Sequence, residues 1–495
     1  MGIMKFSLPL KLSGDVARLL GRAYVTGGPD GMPSPGDARL EANQLTIHRS
    51  SRDSGAVCVP WSVNDNGPLM IATATLIERA LPYPLLVELA RGKVNQLRTL
   101  AADWETGGLV TPSSLVQKLR DVGRAFARMV CQEKPDEAET HARATLRDTL
   151  AVGAELVGTY IEQIFRARHQ HQARLETSLS CGLSSAPAPE LAEQLTRSFN
   201  AVRVPFLWPE IEGAEGQYHW DRTDALVHWA RDHALGVIAG PVVDFSRNCL
   251  PEWLGLWKGD LQGLSNIMLD YSEAALQRYK DDVRVWQLTA GSNSSTVLGL
   301  EEDDVLWLTA RLTEMARQLD PNFQLVAGIS QPWGEYLVKQ PRTYTPFGFA
   351  DMLMRSRATV SMIDLELVLG VEQRGSYERD LMEISRLLDL YALLGMPVRV
   401  TLGYPSLSGP DALADPDFPV DQAAKNSPRS PEGQASWVRC VAALAACKPY
   451  VVGVSWVHLA DNQPHQFPNC GLVDASGAIK PAMAEFAALR EAHLR

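Results

Sequence analysis

The chain has 495 residues, of which 45% are hydrophobic and 21% are charged, the balance of a globular protein with about two to four domains. Its formal net charge of -11 argues against the phosphate backbone of a nucleic acid as a partner. The sequence shows no run of about 18 apolar residues and no secretory leader, so we expect no membrane span. The seven cysteines are scattered and form no C-x-x-C pair, which indicates free thiols in a reducing compartment, the cytoplasm.

Residues 1–100 are predicted to form a β-rich domain of the sandwich type. Short apolar runs separated by Gly, Pro, Asn and Asp lie at 38–50, 55–66 and 67–80. Such a domain either only packs against the rest of the chain or binds carbohydrate, with Trp61 and Tyr83 as stacking faces. Aromatic side chains in sandwiches belong more often to the core.

Residues 101–174 are predicted to form a helical linker region. The stretch 135–171 contains no proline after Pro135, so we expect one long helix there. The spacing of His141, His169 and His171 matches no metal-ligand pattern, and we expect the Arg/His-rich end of this helix to be a solvated face.

The remaining residues, 175–495, alternate between strand and helix patterns. The predicted strands are 175–181, 200–206, 235–243, 283–289, 323–329, 360–368, 398–401 and 451–457. Eight strands that alternate with helices predict a (β/α)8 TIM barrel rather than a doubly wound sheet. The predicted fold class is therefore α/β, with a C-terminal TIM barrel, an N-terminal β-sandwich-like domain and a helical linker.

The second and third βα units carry a set of motif residues. The motifs are FN-x-V in a strand, E-x-x-x-G-x-Y-x-W in a loop and P-x-W-L after the next strand, and the matching residues are Phe199, Asn200, Val202, Glu212, Gly216, Tyr218, Trp220, Asp224, Pro251, Trp253 and Leu254. A second match is G-L-V-D at 471–474 followed by K-P-A at 480–482. On these residues the chain resembles a clan of retaining glycosidases with (β/α)8 barrels, most closely the family-10 xylanases. The resemblance covers residues 175–495.

This resemblance implies two catalytic glutamates that the chain lacks. The family places its acid/base glutamate just after strand four and its nucleophile at the end of strand seven, and the aligned residues here are Gly291 and Leu402. Neither side chain can donate a proton or attack an anomeric carbon. A slip of one or two residues in the alignment restores neither, because no Asp or Glu lies at 286–300 or at 396–408.

Three other carboxylates are candidates for relocated catalytic groups. Asp364 and Glu366 alternate on predicted strand six and therefore face one side, with Glu366 nearer the barrel mouth. Glu335 follows strand five in a loop with Trp333, which would stack on a sugar face, and Asp244 ends strand three. Each has a structural alternative: an interior ion pair or polar layer for strand six, an anchored surface loop for Glu335, and a turn cap for Asp244.

The candidates for substrate binding are polar or aromatic residues near strand ends, namely Arg203, Trp208, Asn293, Gln331, Trp333, Tyr404, His458 and Asp461. Alternatively, such residues only satisfy the loop backbone or exclude water from the barrel top.

We therefore predict a glycoside hydrolase-like protein that acts on carbohydrate, with Glu335, Glu366 and Asp244 as its catalytic residues. The alternative is a pseudo-glycosidase that binds carbohydrate without cleaving it or acts as a structural partner. A third possibility, with Tyr404 or His458 as a base, has no support from the spacing. Retaining hydrolysis needs no cofactor, so we expect neither a cofactor nor a metal, and the sequence leaves the oligomeric state open.

Overall fold

The structure is a computed structural model that describes residues 2–9, 19–28, 30–41, 43–63, 67–356, 358–372, 375–421 and 429–495. Within these ranges, none of the helices combines the length and the apolar character that a membrane crossing requires.

The N-terminal residues form two four-stranded sheets. The strands are β1 (Gly2–Ser7), β2 (Tyr24–Gly27), β3 (Met32–Pro33), β4 (Gly36–Glu41), β5 (Gln44–Arg49), β6 (Ala56–Ser62), β7 (Pro68–Ala72) and β8 (Tyr83–Pro84), in the orders β4-β5-β1-β8 and β3-β2-β6-β7. Phe6, Ile47 and Val57 from both sheets share one apolar core. Trp61 and Tyr83 belong to the same core at 3% and 8% exposure, which favours the core alternative over stacking faces.

Three helices connect these sheets to the barrel: α1 (Leu85–Thr106), α2 (Ser113–Val130) and α3 (Pro135–His169). The long helix predicted over 135–171 is confirmed as α3. Helix α1 contributes Leu89 to the N-terminal core and Leu97 to the barrel core. The buried Lys93 of α1 lies 2.5 Å from a carboxylate oxygen of Asp380, so an ion pair also ties this helix to the barrel.

Residues from 175 onward form the barrel. Its strands are β9 (Ser178–Gly182), β10 (Ala201–Val204), β11 (Gly236–Ala239) with β12 (Val243–Asp244), β13 (Val285–Ala290), β14 (Gln324–Ser330), β15 (Met362–Val368), β16 (Val398–Gly403) and β17 (Val451–Trp456). Neighbouring strands pair in parallel, and β17 pairs with β9, which closes the ring. β11 and β12 are two parts of the third strand, separated at the cis peptide bond between Gly240 and Pro241. All eight predicted strands, and the predicted TIM barrel, are confirmed.

Helices surround this ring: α4 (Pro189–Ser198), α5 (Trp208–Ile211), α6 (Asp221–Asp232), α7 (Leu261–Tyr279), α8 (Glu302–Leu319), α9 (Pro346–Arg355), α10 (Leu381–Ala392), α11 (Pro431–Cys447) and α12 (Ala482–His493). Outward-facing strand residues such as Leu365 and Leu402 pack in the core between strands and helices. The inward-facing residues alternate with them and are largely polar or glycine, as the strand period of two requires.

The motif residues of the second βα unit hold its loop together. Glu212 accepts a hydrogen bond from the indole of Trp208 at 2.7 Å and another from the backbone N–H of Gly216, also at 2.7 Å. The carbonyl of Glu212 accepts from the indole of Trp253 at 2.9 Å. Gly216 has φ +75°, a conformation that favours glycine. These contacts of Glu212, Gly216 and Trp253 therefore account for the shape of this loop.

Candidate active site at the carboxyl end of the barrel

The barrel interior carries a buried polar layer. The hydroxyl of Thr401 donates to a carboxylate oxygen of Asp364 at 2.6 Å. Arg399 donates to the hydroxyls of Ser178 and Ser455 at 3.0 and 3.3 Å. Burial lowers the pKa of Arg399, while the nearby Asp364 acts in the opposite direction. Asp364 thus belongs to an interior polar layer, the structural alternative foreseen for strand six.

Glu366 lies on the same inward side of β15, two residues closer to the barrel mouth. It pairs in register with Ser330 of β14 and Thr401 of β16. Unlike the buried Asp364, Glu366 is only half-buried, so solvent reaches it from the mouth. The structure therefore places this carboxylate on the inward face of the barrel, near its carboxyl end.

Asp244 lies at the end of the third strand, directly beside Gly291. Gly291 follows β13 with φ +67°, and a Cβ atom on it would stand 3.1 Å from Oδ1 of Asp244. Asp244 is half-buried, and its Oδ1 accepts a hydrogen bond from the backbone N–H of Ser246 at 2.9 Å. The Asp244 carboxylate thus borders the space that a side chain at position 291 would fill.

Leu402, aligned with the family nucleophile, faces away from the interior. It is fully buried between strands and helices, whereas its neighbours Thr401 and Gly403 occupy the inward positions. Neither inward residue carries a carboxylate, so the end of this strand offers no nucleophile in either register.

Asp244 and Glu366 lie on strands with two other strands between them, the same number that the resemblance implies between the strands of the two family glutamates. In sheet order, β13 and β14 separate β12 from β15. Strands three and six are therefore separated by two strands, as strands four and seven are. The pair in this chain lies one strand position earlier in the ring.

Glu335 lies apart from Asp244 and Glu366. It takes part in a buried ion pair where the barrel contacts the N-terminal sheets. Its carboxylate accepts from the guanidinium of Arg379 and from the backbone N–H of Tyr377 at 3.2 Å, and Tyr24 of β2 lies 3.5 Å away. Burial raises the pKa of Glu335, although the charge of Arg379 opposes this shift.

The loop that carries Glu335 also faces the N-terminal sheets. The guanidinium of Arg379 lies over the ring of Trp333, 5.1 Å from its centre, and the amide of Gln331 donates to the carbonyl of Gly375 at 3.1 Å. Trp333 and Arg379 line a cavity of about 530 Å³ between the second N-terminal sheet, helix α1 and helix α10. Trp333 is 6% exposed, and its loop packs on the N-terminal unit rather than over the barrel mouth.

Two further predicted binding residues are structural in their contacts. Trp208 is 1% exposed and stacks on Tyr271 with ring centres 4.3 Å apart. The side chain of Asn293 bonds both backbone groups of Ser330, at 2.8 and 3.0 Å, and so joins the loop after β13 to the end of β14.

Arg203 and Tyr404 remain partly accessible. Arg203 is half-buried on the inward side of β10 and donates to the carbonyl of Gly240 at 3.3 Å. The hydroxyl of Tyr404 donates to Glu378 at 3.3 Å, and Glu378 also pairs with Arg429, whose guanidinium lies over the Tyr404 ring. Burial raises the pKa of Glu378, and the charge of Arg429 opposes it. Arg203 therefore reaches the interior, whereas Tyr404 belongs to a loop-anchoring network.

His458 and Asp461 follow the eighth strand and contact each other. Nε2 of His458 lies 3.0 Å from Oδ1 of Asp461, and the ammonium of Lys480 lies 2.5 Å from Oδ2. Burial acts to raise the pKa of Asp461, but the hydrogen bond from His458 and the charge of Lys480 lower it to about 2. Burial also lowers the pKa of His458.

Several partners were not predicted from the sequence. Arg379 and Arg429 come from connections far along the chain, and no local pattern pairs them with Glu335 and Glu378. His465 is different, because its spacing from His458 and Asp461, at i, i+3 and i+7, was visible in the sequence.

The comparisons with known proteins found similar chains among solved structures. No protein-family model matches the chain, and no curated protein matches it. Among solved structures, xylanase 10B from Thermotoga maritima shares 14% identity at a TM-score of 0.48, covering 67% of this chain and 97% of its own. The family-10 xylanase of Thermobacillus composti shares 16% at 0.48, covering 66% and 99%. The intracellular xylanase of Thermoanaerobacterium saccharolyticum, in complex with xylotriose, shares 15% at 0.47, covering 66% and 97%. At these identities the likeness is one of fold.

Proposed function

We propose that the barrel hydrolyses a glycosidic bond of a polysaccharide or oligosaccharide, with Asp244 as the general acid/base and Glu366 as the nucleophile. The observation that carries this proposal is the position of Asp244 beside Gly291, where the acid/base side chain of the resembling family would project. The half-buried Glu366 on β15, separated from Asp244 by β13 and β14, supplies the second carboxylate that the reaction needs.

The reaction would proceed in two displacements. Glu366 attacks the anomeric carbon while Asp244, protonated, gives its proton to the leaving oxygen, so that a glycosyl ester forms and the distal sugar departs. Asp244 then takes a proton from water, the resulting hydroxide attacks the anomeric carbon, and the Glu366 carboxylate is released. The hydrogen bond from the backbone N–H of Ser246 fixes the orientation of Asp244, and Arg203 on the inward side of β10 would contact sugar hydroxyls.

A second candidate is saccharide binding without cleavage. The hydrogen bond from Ser246 to Asp244 favours this candidate. An aspartate that accepts a hydrogen bond from the backbone two residues later commonly caps a turn and needs no catalytic role. In that case Asp244 and Glu366 would contact sugar hydroxyls and transfer no proton. The structural-partner alternative needs neither residue to contact a sugar.

Turnover of aryl glycosides and release of reducing ends from polysaccharides distinguish these candidates. We expect Asp244→Asn and Glu366→Gln to lose most turnover, while Glu485→Gln on helix α12, a partly buried carboxylate paired with Arg439, keeps it. Calorimetric binding of the same saccharides is measured alongside. Binding without turnover in the wild type would select the second candidate, and equal turnover in all three variants would remove the catalytic assignment.

A further inference from the structure

The loops after β16 and β17 bring two histidines and two aspartates together. Nε2 of His465 lies 2.9 Å from Oδ2 of Asp411 and 3.9 Å from Oδ1 of Asp461, and Nε2 of His458 lies 3.0 Å from the same Oδ1. The side chains are 0%, 7%, 5% and 8% exposed in the order His465, Asp411, Asp461 and His458. Asp244 and Glu366 have no part in this cluster.

The donor atoms are spaced as ligands of one small cation. One donor atom from each of His458, Asp461 and His465 lies within 4.8 Å of the other two. A tetrahedral ion with bonds of about 2.0–2.1 Å keeps its ligand atoms roughly 3.3 Å apart. Oδ1 of Asp461 lies 3.0 Å from Nε2 of His458 and 3.9 Å from Nε2 of His465, and these two distances bracket that value.

His465 is held by contacts at both ring nitrogens. Its Nδ1 lies 2.7 Å from the carbonyl oxygen of Gln463, and its Nε2 lies 2.9 Å from Oδ2 of Asp411. The contact at Nδ1 fixes the ring from outside, so that Nε2 is directed into the cluster.

We infer that His458, Asp461 and His465 bind a divalent transition-metal ion of the zinc class, with Asp411 beside them in contact with His465. Two imidazoles among the three protein ligands favour such an ion over Mg²⁺ or Ca²⁺, which prefer oxygen ligands alone.

The surroundings supply the supporting contacts that metal ligands usually have. Gln463 orients the His465 ring, the backbone N–H of Gly471 donates to Oδ1 of Asp461 at 2.6 Å, and that of Asn469 donates to Asp411 at 2.8 Å. Lys480 pairs with Asp461, so the carboxylate of Asp411 beside His465 supplies the negative charge that a cation would balance.

The cluster is buried and is built from two loops. The three ligands belong to the loop after β17, and Asp411, which contacts His465, belongs to the loop after β16. An ion bound by His465 would therefore strengthen the contact between two loops at the carboxyl end of the barrel. Phe418 and Phe467, from these same two loops, pack with Val368 of β15 beside the mouth, so the ion would also fix that wall.

The full-length protein provides the test after removal of metal with a chelator. Zn²⁺, Co²⁺, Mg²⁺ or Ca²⁺ is added singly, and bound metal is counted by mass spectrometry of the desalted protein. We expect one Zn²⁺ per chain, visible absorption bands of tetrahedral Co²⁺, and no stoichiometric Mg²⁺ or Ca²⁺. The site is overturned if Zn²⁺ does not bind, or if nitrogen NMR shows His465 doubly protonated in excess Zn²⁺.

Variants locate the bound ion. His458→Gln and His465→Gln should weaken Zn²⁺ binding by more than the roughly 10–100-fold that loss of an outer partner costs. His171→Gln, at an exposed histidine just past helix α3, should bind as the wild type does. Wild-type affinity in both cluster variants would contradict the assignment. If the cluster variants fail to fold, the stoichiometry and Co²⁺ spectrum of the wild type decide.

Discussion

Asp244 and Gly291 are immediate neighbours, and a side chain at position 291 would crowd Asp244 and displace the hydroxyl of Ser246. A Cβ there would stand 3.1 Å from Oδ1 of Asp244 and 2.5 Å from the hydroxyl of Ser246. Gly291 also has φ +67°, which costs an ordinary residue about 1–2 kcal/mol. Glycine at position 291 therefore leaves the room that the side chains of Asp244 and Ser246 occupy.

The first prediction concerns this glycine. Gly291→Ala should lower the free energy of unfolding by about 2–5 kcal/mol, the backbone cost plus the cost of overpacking. Gly216→Ala is the matched control, because Gly216 has φ +75° but nothing within 4 Å of its Cβ position. It should lose only about 1–2 kcal/mol. Equal losses in urea unfolding would show that the space beside Asp244 is open.

The second prediction concerns Glu335 and Arg379. Glu335→Gln should lower the free energy of unfolding by about 3–5 kcal/mol, because it leaves the Arg379 charge buried without its partner. The double variant Glu335→Gln, Arg379→Met should recover much of that loss, since burying this pair carries a desolvation cost. Glu155→Gln, in an exposed pair with Lys118, should cost under about 1 kcal/mol. If Glu335→Gln left the free energy of unfolding unchanged but abolished turnover, Glu335 would again be a candidate catalytic residue.

The third prediction separates structural from substrate-binding tryptophans. Trp208→Phe keeps the stacking on Tyr271 but removes the indole N–H that donates to Glu212. The free energy of unfolding should therefore fall by about 1–3 kcal/mol. Trp307→Phe, at a 39% exposed position on helix α8, should change stability by less than about 0.5 kcal/mol. Calorimetry should find saccharide affinity unchanged in Trp208→Phe. A large loss of affinity with intact stability would place Trp208 in the binding site.

The fourth prediction concerns pH and the contact between helices α3 and α12. His493 stacks on Phe165 with ring centres 3.7 Å apart, and its Nδ1 lies 2.9 Å from Nε2 of His169. Burial lowers the pKa of His493 to about 4, and the charges of His169 and Arg174 act in the same direction. The unfolded chain then takes up this proton near pH 6.5, whereas the folded protein resists it.

This group therefore stabilises the protein fully above pH 6.5, and the contribution is lost as the pH falls from 6.5 to about 4. The midpoint of thermal unfolding should decline over that window in the wild type and in His171→Gln. The decline should be shallower in His493→Gln. An identical slope in all three proteins would exclude His493 as a source of the pH dependence.

The sequence predicts the barrel well because its signal is local and repeated. Strand β15 is apolar at alternate positions, β16 follows it after an amphipathic helix, and both lie where the pattern predicts. The side-chain partners follow from tertiary placement, which no local pattern encodes. Glu335 was expected beside a sugar, yet Arg379, 44 residues later, and Tyr24, 311 residues earlier, surround it instead.

Aromatic residues at strand ends show the same limit. The sequence alone makes Trp208 a candidate for stacking on a sugar ring. In the structure its ring stacks instead on Tyr271 of helix α7. The ordering of Asp244 and Glu366 around the ring, in contrast, follows directly from the strand sequence.

The measurement that tests the central claim most directly is the mass of the protein after incubation with an activated 2-deoxy-2-fluoro glycoside, which arrests a retaining enzyme at its glycosyl ester. Peptide mapping should find one sugar on Glu366 of the wild type, and the Glu366→Gln protein should carry none. An adduct on any other residue, or turnover of ordinary glycosides that survives Glu366→Gln, would contradict the assignment of Asp244 and Glu366.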